Sequence, residues 1–179
     1  MIFDVLADRA RASCLKGGND ININYRLRRK DQKMAASEEK IKEYLKMNQT
    51  IILATADKGG VPDIRTLGGY GLSDYVIYFS TLKTSNKVKQ IENKKDVAVF
   101  IQHENQFISK FFNVTIYGEA VLLEEESEYD NGKTLILSRR PSLKIRKDTH
   151  NIYKVIPKKL KVLDYSEQNL KERISILEF

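Results

Sequence analysis

Residues 51–67, IILATADKGGVPDIRTL, decide the fold that the sequence predicts. The segment Ile51–Ala56 is short and almost entirely apolar, which is typical of a strand buried on both faces. Asp57-Lys58-Gly59-Gly60 is a turn sequence, because glycine tolerates the positive φ angles of tight hairpins. Val61–Leu67 predicts the return strand, with Pro62 near its start, where a missing backbone N–H is tolerated. The stretch therefore predicts an antiparallel β-hairpin.

Downstream of the hairpin, short runs rich in β-branched and aromatic residues alternate with turns. After a break at Gly68, Gly69 and Gly71, they predict strands at Tyr75–Phe79, Val97–Ile101, Phe111–Leu123, Ile152–Ile156 and Leu160–Leu163. The strand from Phe111 is long and is expected to bend near Gly118. The last two strands are expected to be separate segments on either side of Pro157. Seven mostly antiparallel strands predict a closed or nearly closed barrel.

Helices are predicted on the flanks of these strands. Upstream of the hairpin, Ser37 is a suitable N-cap, and Ile41, Tyr44 and Leu45 follow it with helical spacing. Further helices are predicted at Thr84–Asn93, at Glu124–Arg139 with Asp130-Asn131-Gly132 as a candidate break, and in the tail from Ser166 to Phe179. The expected fold class is therefore mainly β with flanking helices (α+β).

The first 33 residues differ from the rest of the chain. They hold eight basic and four acidic residues and include the basic run Arg26–Lys30, and they show no sustained hydrophobic period. They predict a weakly ordered basic N-terminal arm over residues 1–33, followed by one folded domain over residues 34–179. A sharper hypothesis is that translation starts at Met34 and that the arm is not synthesised. The intact mass of the native protein tests this hypothesis.

Composition narrows the classes of function. The net charge is +7, but only three of these surplus charges fall after residue 33, so the folded body gives little support to nucleic-acid binding. One cysteine, Cys14, and two histidines are too few for a typical zinc site. No apolar run approaches the roughly 20 residues of a membrane helix. We expect a cytoplasmic protein without a membrane span or a metal site.

A candidate anion site follows from Arg65 and from the segment Ser80–Lys87. Arg65 lies near the end of a predicted strand and can bind a phosphate through two parallel hydrogen bonds. The segment leaves a strand and enters a helix, whose free N–H groups and dipole favour an anion. Its hydroxyl groups add donors, and Lys87 adds a positive charge. The alternative interpretation is an ordinary helix cap at Thr84 or Ser85, with the cations solvated.

Three stretches carry a family resemblance: ILATADKGGVPDIRTL at 52–67, YVIYFSTLKTSNKVKQIENKKDVAVFIQ at 75–102 and VTIYGEAVLL at 114–123. In this order they contain a strand ending in Ala-Thr, a strand carrying Arg, a Thr-x-x-x-Ser-x-Lys element and a Gly-Glu-Ala strand. They resemble the pyridoxamine 5′-phosphate oxidase-like family of FMN-binding proteins. The resemblance covers roughly residues 37–165 and implies an antiparallel split β-barrel.

The resemblance also implies a cofactor, a partner and a set of site residues. The cofactor is FMN, and the protein is a homodimer with flavin at the subunit interface. The residues implied to contact the FMN phosphate are Arg65, Ser85 and Lys87. Those implied to line the isoalloxazine and ribityl groups are Thr66, Leu67, Ser80 and Thr81. Gln102 is implied to reach the flavin of the other subunit.

The sequence departs from true pyridoxamine phosphate oxidases at three places. Those enzymes have a basic residue five positions after the strand arginine, and this chain has Tyr70 there. The chain has no tryptophan, and its end at Arg173–Leu177 does not match their substrate element. The resemblance is therefore to the general-stress and uncharacterised branches of the family, and it favours flavin binding over oxidation of a B6 vitamer.

The predicted function is an FMN-dependent oxidoreductase that transfers electrons from a reductant such as NAD(P)H to a small-molecule acceptor. No side chain is assigned to catalysis. The alternatives are a flavin carrier or sensor without turnover and, as a weaker candidate, a nucleic-acid-binding barrel that uses the basic arm.

Another flavin, a deazaflavin or haem are alternatives to FMN, and His103 and His150 are the candidate haem ligands. Phe107 and Ile108, in the loop over residues 104–110, are expected to border the flavin pocket.

Overall fold

A computed structural model of the protein describes residues 36–103 and 106–179. The predicted arm, Met34 and Cys14 lie outside the described residues. The α-helices are α1 (Glu38–Met47), α2 (Asn86–Asn93) and α3 (Glu126–Arg139). The strands are β1 (Ile51–Ala56), β2 (Pro62–Leu67), β3 (Gly71–Ser73), β4 (Val76–Leu82), β5 (Asp96–Gln102), β6 (Phe112–Leu122), β7 (His150–Asp164) and β8 (Ile174–Glu178). A single turn of 3₁₀ helix spans Ile108–Lys110.

Helix α1 forms as the sequence predicts. Ser37 is its N-cap, and the Ser37 hydroxyl oxygen accepts a hydrogen bond from the Lys40 N–H at 3.2 Å. Two glutamates in the first turn suit the positive end of the helix dipole. Ile41 and Leu45 are fully buried. One face of α1 therefore packs on the core, and the remainder faces solvent.

Strands β1 and β2 form the predicted hairpin, with Ile51 opposite Leu67. In the turn, Gly60 donates a backbone hydrogen bond to Asp57 at 3.0 Å and has a φ of +83°, a conformation that favours glycine. The expectation that β1 is buried on both faces is wrong. Buried and half-buried residues alternate along β1, because one face of the sheet packs on the core and the other is only partly covered.

The eight strands of the described residues form one curled sheet in the order β2-β1-β5-β6-β7-β4-β3, and β8 pairs with β7. Every neighbouring pair is antiparallel. Together with the three helices, this curled half-barrel confirms the predicted fold class, mainly β with flanking helices in a split β-barrel. The sequence pattern missed β3, because three residues are too few to show an alternation.

The long pair β6 and β7 bends where the sequence predicts. The register shifts between Tyr117 and Gly118, and a Cβ atom at Gly118 would lie only 2.2 Å from the carbonyl oxygen of Ile156. The prediction of two separate final strands is wrong, because β7 continues through Pro157. Proline is tolerated there because it lies at the bulge. It also separates the part of β7 that pairs with β4 from the part that pairs with β8.

Helix α3 and the tail also differ from the predictions. The candidate break in α3 is absent, and the helix continues through Gly132. A Cβ atom there would lie 2.9 Å from Leu123 and 3.0 Å from Ile152, so the helix packs on the sheet through a position that favours glycine. The tail does not form a helix, since Ile174–Glu178 is strand β8. Pairing with the available edge of β7 outweighs the local helical tendency.

Two apolar clusters stabilise the described part of the chain. The larger lies between the inner face of the curled sheet and helices α1 and α2, and Leu53, Phe79 and Ile101 are fully buried in it. The smaller lies between α3 and the opposite face of β4 and β7, around Ile136 and Ile152. No helix in the part of the chain that the structure describes is long and apolar enough to cross a membrane.

Candidate functional site

Arg65 projects from β2 towards the inner face of the sheet and joins a polar network at the margin of the core. Its register partner on β1 is the fully buried Leu53, and paired residues share a face. Arg65 Nη1 donates to Thr55 Oγ1 at 2.5 Å, and Nη2 donates to Gln90 Oε1 at 3.0 Å. Thr55 and Gln90 are buried, and the Thr55 hydroxyl donates to the same Gln90 oxygen at 2.6 Å. Side chains from β1 and α2 therefore fix the guanidinium.

Asp63 completes this network. It lies two residues before Arg65 on the same face of β2, forms an ion pair with Arg65 Nη2 and accepts a hydrogen bond from Gln90 Nε2 at 3.1 Å. The hydrogen bond from Gln90, followed by the pairing with Arg65, holds the pKa of Asp63 below its ordinary value. The Asp63 side chain is 44% exposed, against 18% for Arg65. The carboxylate is therefore charged at neutral pH and is the more accessible partner.

A second group of donors lies at the start of α2. Ser85 is the N-cap, but its side chain makes no capping hydrogen bond. Its Oγ lies 2.9 Å from Thr81 Oγ1, and Lys87 Nζ donates to the same Thr81 oxygen at 3.1 Å. Thr81 is buried at the end of β4, and Ser85 and Lys87 are half-buried. Two hydroxyls and an ammonium group therefore converge where the helix presents its positive end.

The two groups share one electrostatic environment. Burial lowers the pKa of Lys87, the positive charge of Arg65 lowers it further, and the charge of Asp63 opposes this. Two cations and two hydroxyls at a helix N-terminus suit a phosphate monoester, which carries close to two negative charges and three acceptor oxygens. The side chains present fit the phosphate of FMN.

Four of the eight predicted site residues converge in this way: Arg65, Thr81, Ser85 and Lys87. The other four lie elsewhere. Leu67 is part of the main core. Thr66 and Gln102 lie on the outer face of the sheet, where residues alternate with the buried ones of β2 and β5. Ser80 is opposite Ile152 and faces the layer under α3.

Sequence reasoning missed three members of the network: Thr55, Asp63 and Gln90. The hairpin register contains part of the signal, because it places Asp63 directly opposite Thr55. Gln90 follows Lys87 by one turn and adjoins the buried Ile91. A polar side chain at a buried helical position needs a hydrogen-bond partner. This requirement is the signal in the sequence that points to Gln90 as a member of the network.

The outer face of β2, β1 and β5 is largely apolar and incompletely covered. Ile52, Ala98 and Phe100 are half-buried there, and Ile64 is 66% exposed. A shallow cavity of about 310 Å³ opens on this face, with alanines of β1 and β5 among its lining residues and Tyr117 beside them. An apolar exposed face of this kind is typical of a protein or ligand contact.

The histidines lie at strand ends. His103 follows β5, is exposed, and its backbone N–H donates to the Tyr44 hydroxyl at 2.7 Å. His150 is the first residue of β7, and its Nδ1 lies 2.9 Å from Thr149 Oγ1.

Phe107, in the loop predicted to border a pocket, is 77% exposed. Over the residues that the structure describes, no group of three or more His, Cys, Asp or Glu residues could hold a metal ion.

Among known proteins, several solved structures share this fold. General stress protein 26 of Bacillus anthracis is 18% identical, with a TM-score of 0.58 over 79% of this chain and 98% of that one. A pyridoxamine 5′-phosphate oxidase-related, FMN-binding protein of Nostoc punctiforme is 17% identical, with a TM-score of 0.52 over 73% and 86%. A heme-binding protein of Mycobacterium smegmatis is 13% identical, with a TM-score of 0.66 over 80% and 58%. At these identities the similarity shows a common fold.

The sequence itself gives the family. No curated protein matches the chain significantly. The sequence model of the family described as pyridoxamine 5′-phosphate oxidase matches residues 37–160. This match spans well over half of the chain and includes every residue of the polar network. The chain therefore belongs to the pyridoxamine 5′-phosphate oxidase-like family.

Proposed function

We propose that this protein binds FMN and that Arg65, Thr81, Ser85 and Lys87 hold its phosphate. The observation that carries the proposal is the approach of two cations, Arg65 and Lys87, at the N-terminus of α2, with the pKa of Lys87 lowered by burial and by Arg65. Asp63 offsets the repulsion between these two half-buried positive charges only in part, and a doubly charged phosphate between them would replace that repulsion by attraction.

The remaining predicted residues continue from this phosphate site. Thr66 and Leu67 follow Arg65 directly on β2, and Ser80 precedes Thr81 on β4. In the proposed complex the backbone of these segments contacts the ribityl chain and the isoalloxazine ring. This assignment needs only backbone contact, because the side chains of Thr66 and Ser80 point away from the inner face of the sheet.

The proposal includes a homodimer with flavin at the subunit interface. The apolar outer face of β2, β1 and β5 supports it, since Ile64 and Tyr117 remain exposed there in the single chain and a second subunit would cover them. Thr66 and Gln102 lie on this face. Gln102 is therefore available to a flavin bound by the other subunit.

The proposed activity is that of an oxidoreductase. Bound FMN would supply electron transfer from a reductant such as NAD(P)H to a small acceptor, and the residues above would bind and orient it. A flavin carrier or sensor uses the same site without turnover. Steady-state consumption of NAD(P)H by the FMN-loaded protein with a panel of acceptors distinguishes the two, since a carrier consumes none.

A titration with two flavins tests the phosphate site. FMN should bind at least about 100-fold more tightly than riboflavin, which lacks the phosphate, because charge-assisted hydrogen bonds contribute roughly 1.5–3 kcal/mol each. Quenching of flavin fluorescence measures both dissociation constants. Lys87→Ala should remove most of the preference, whereas Lys89→Ala, on the exposed side of the same helix, should keep it. Equal affinity for the two flavins would contradict the assignment.

Haem is the second candidate ligand. The similarity to a heme-binding protein of the same fold supports it, and His103 is exposed beside the end of β5. The visible spectrum of the purified protein, with its chromophore released and identified by chromatography, decides between the two. An intense Soret band that disappears in His103→Ala would favour haem, and flavin bands from FMN would exclude it as the resident cofactor.

A further inference from the structure

In the structure, the Nη2 nitrogen of Arg65 already contacts two acceptors of the same chain. Nη2 carries two hydrogens. One is directed to Gln90 Oε1 at 3.0 Å, and the ion pair with the Asp63 carboxylate uses the other. Nη1 gives one of its hydrogens to Thr55 at 2.5 Å. The hydrogens outside these contacts are therefore the second one of Nη1 and that of Nε.

These two hydrogens are not placed to bind a phosphate in a bidentate manner. A guanidinium binds an anion through two parallel N–H groups, either from Nη1 and Nη2 or from Nε and Nη2. Both arrangements include Nη2, and both of its hydrogens are occupied. A phosphate can thus be bound in this way only if Gln90 or Asp63 gives up its contact with Arg65.

Asp63 is the partner that can leave. Gln90 is buried on α2 and also accepts a hydrogen bond from the buried Thr55, so its removal would leave polar groups unpaired in the core. The Asp63 side chain is 44% exposed and lies on β2, at the end of the sheet order. Its carboxylate can release Arg65 and keep the hydrogen bond from Gln90 Nε2, so its displacement leaves no buried group unpaired.

We propose that Asp63 is an internal competitor of the ligand phosphate, which occupies the anion-binding nitrogen of Arg65 until a phosphate displaces it. This inference deepens the proposed FMN site and rests on it. In the absence of ligand the carboxylate neutralises one of the two cations and keeps Arg65 in place. On binding, the phosphate takes the place of the carboxylate, which remains nearby through Gln90 and repels the bound phosphate.

The substitution Asp63→Asn tests this inference, because asparagine keeps the size and an acceptor oxygen but removes the charge. Asp63→Asn should lower the dissociation constant of FMN about fivefold, the size expected for one partly exposed ion pair. Asp74→Asn is the matched control, since Asp74 is an exposed carboxylate paired with Lys42 at 2.6 Å in the turn between β3 and β4. The control should leave FMN binding unchanged.

Unchanged or weaker FMN binding by Asp63→Asn would overturn the inference, because a residue that only orients Arg65 would weaken binding when replaced. A second measurement separates this inference from the flavin proposal. Inorganic phosphate should raise the melting temperature of Asp63→Asn more than that of the unsubstituted chain. If no variant binds FMN but this difference is present, the flavin proposal fails and the role of Asp63 stands. If phosphate stabilises neither chain, or both equally, the role of Asp63 fails.

Discussion

Near its turn, the β1–β2 hairpin inverts the usual distribution of polar and apolar side chains between the two faces of a sheet. On the inner face, the buried apolar row of Ile51 and Leu53 ends in the polar trio Thr55, Asp63 and Arg65. On the outer face, Ile64 is apolar and mostly exposed. Buried polar groups and exposed apolar patches are the informative exceptions in a globular protein.

The contrast between the two faces means that the residues of one short hairpin meet two separate structural requirements. Thr55, Arg65 and Gln90 hold a charged group in place at the margin of the core, which is costly unless every partner is satisfied. The outer face leaves apolar area uncovered, which is costly unless a partner covers it. We therefore propose that the inner face binds the phosphate of the ligand and that the outer face contacts a second subunit, and a substitution on each face tests its own part of this proposal.

The largest effect is expected from a charge on the outer face. Ala98→Glu places a carboxylate at a half-buried position of β5, where an unpaired charge in an interface costs about 2–5 kcal/mol, or roughly 30-fold to several-thousandfold in dimer affinity. The secondary structure should stay intact, because this side chain points away from the core. Light scattering after size exclusion measures the association. Ser127→Glu, on the exposed start of α3, is the control, and a stable Ala98→Glu dimer would remove this face from the interface.

The next effect belongs to the inner face. Arg65→Ala should weaken FMN binding about 100-fold, because it removes two charge-assisted hydrogen bonds to phosphate. Association into a dimer should change less than in Ala98→Glu. Arg146→Ala, at an exposed arginine that lies 3.7 Å from Asp148, is the matched control. Retention of FMN by Arg65→Ala would show that the polar trio of the inner face has a purely structural role.

The sequence predicts the hairpin and the helices α1 and α2 because their signals are local. The turn residues, the Ser37 cap and the helical spacing of apolar residues act within a few positions. The errors concern long-range contacts. Pro157 is accommodated by the bulge opposite Gly118, which depends on how β6 approaches β7. The tail becomes β8 because β7 offers it an edge, and no local pattern encodes that edge.

The same distinction between local signals and long-range contacts applies to the candidate site. The convergence of Arg65 with the start of α2 was predicted from the family resemblance and from the anion chemistry of a helix N-terminus. Asp63 and Gln90 were missed, because their contact joins a strand to a helix 27 positions later in the chain. The sequence also does not tell which face of β2 is buried. The register does, since it places Arg65 inside and Thr66 outside.

A smaller, pH-dependent effect sharpens the assignment of the inner face. Because burial and then Arg65 lower the pKa of Lys87, this side chain loses its proton at a lower pH than an ordinary lysine. A bound phosphate favours the protonated form and raises the pKa, so FMN affinity should fall by about tenfold as the pH rises through the pKa of free Lys87. Dissociation constants from neutral to alkaline pH measure this. Lys87→Arg stays charged and should lack the fall, and an identical fall in both proteins would assign it to the ligand.

The smallest effect compares two threonines on opposite faces of the same sheet. Thr81 Oγ1 lies on the inner side, within 3.1 Å of Lys87 Nζ and 2.9 Å of Ser85 Oγ, whereas Thr115 on β6 alternates with buried neighbours and faces outward. Threonine and valine have nearly the same shape, so each Thr→Val substitution removes little more than a hydroxyl. Thr81→Val should weaken FMN binding about fivefold, the value of one hydrogen bond of roughly 1 kcal/mol, and Thr115→Val should leave it within about twofold. Equal losses would mean that the hydroxyls act through the stability of the barrel, because only a phosphate site on the inner face distinguishes the two positions.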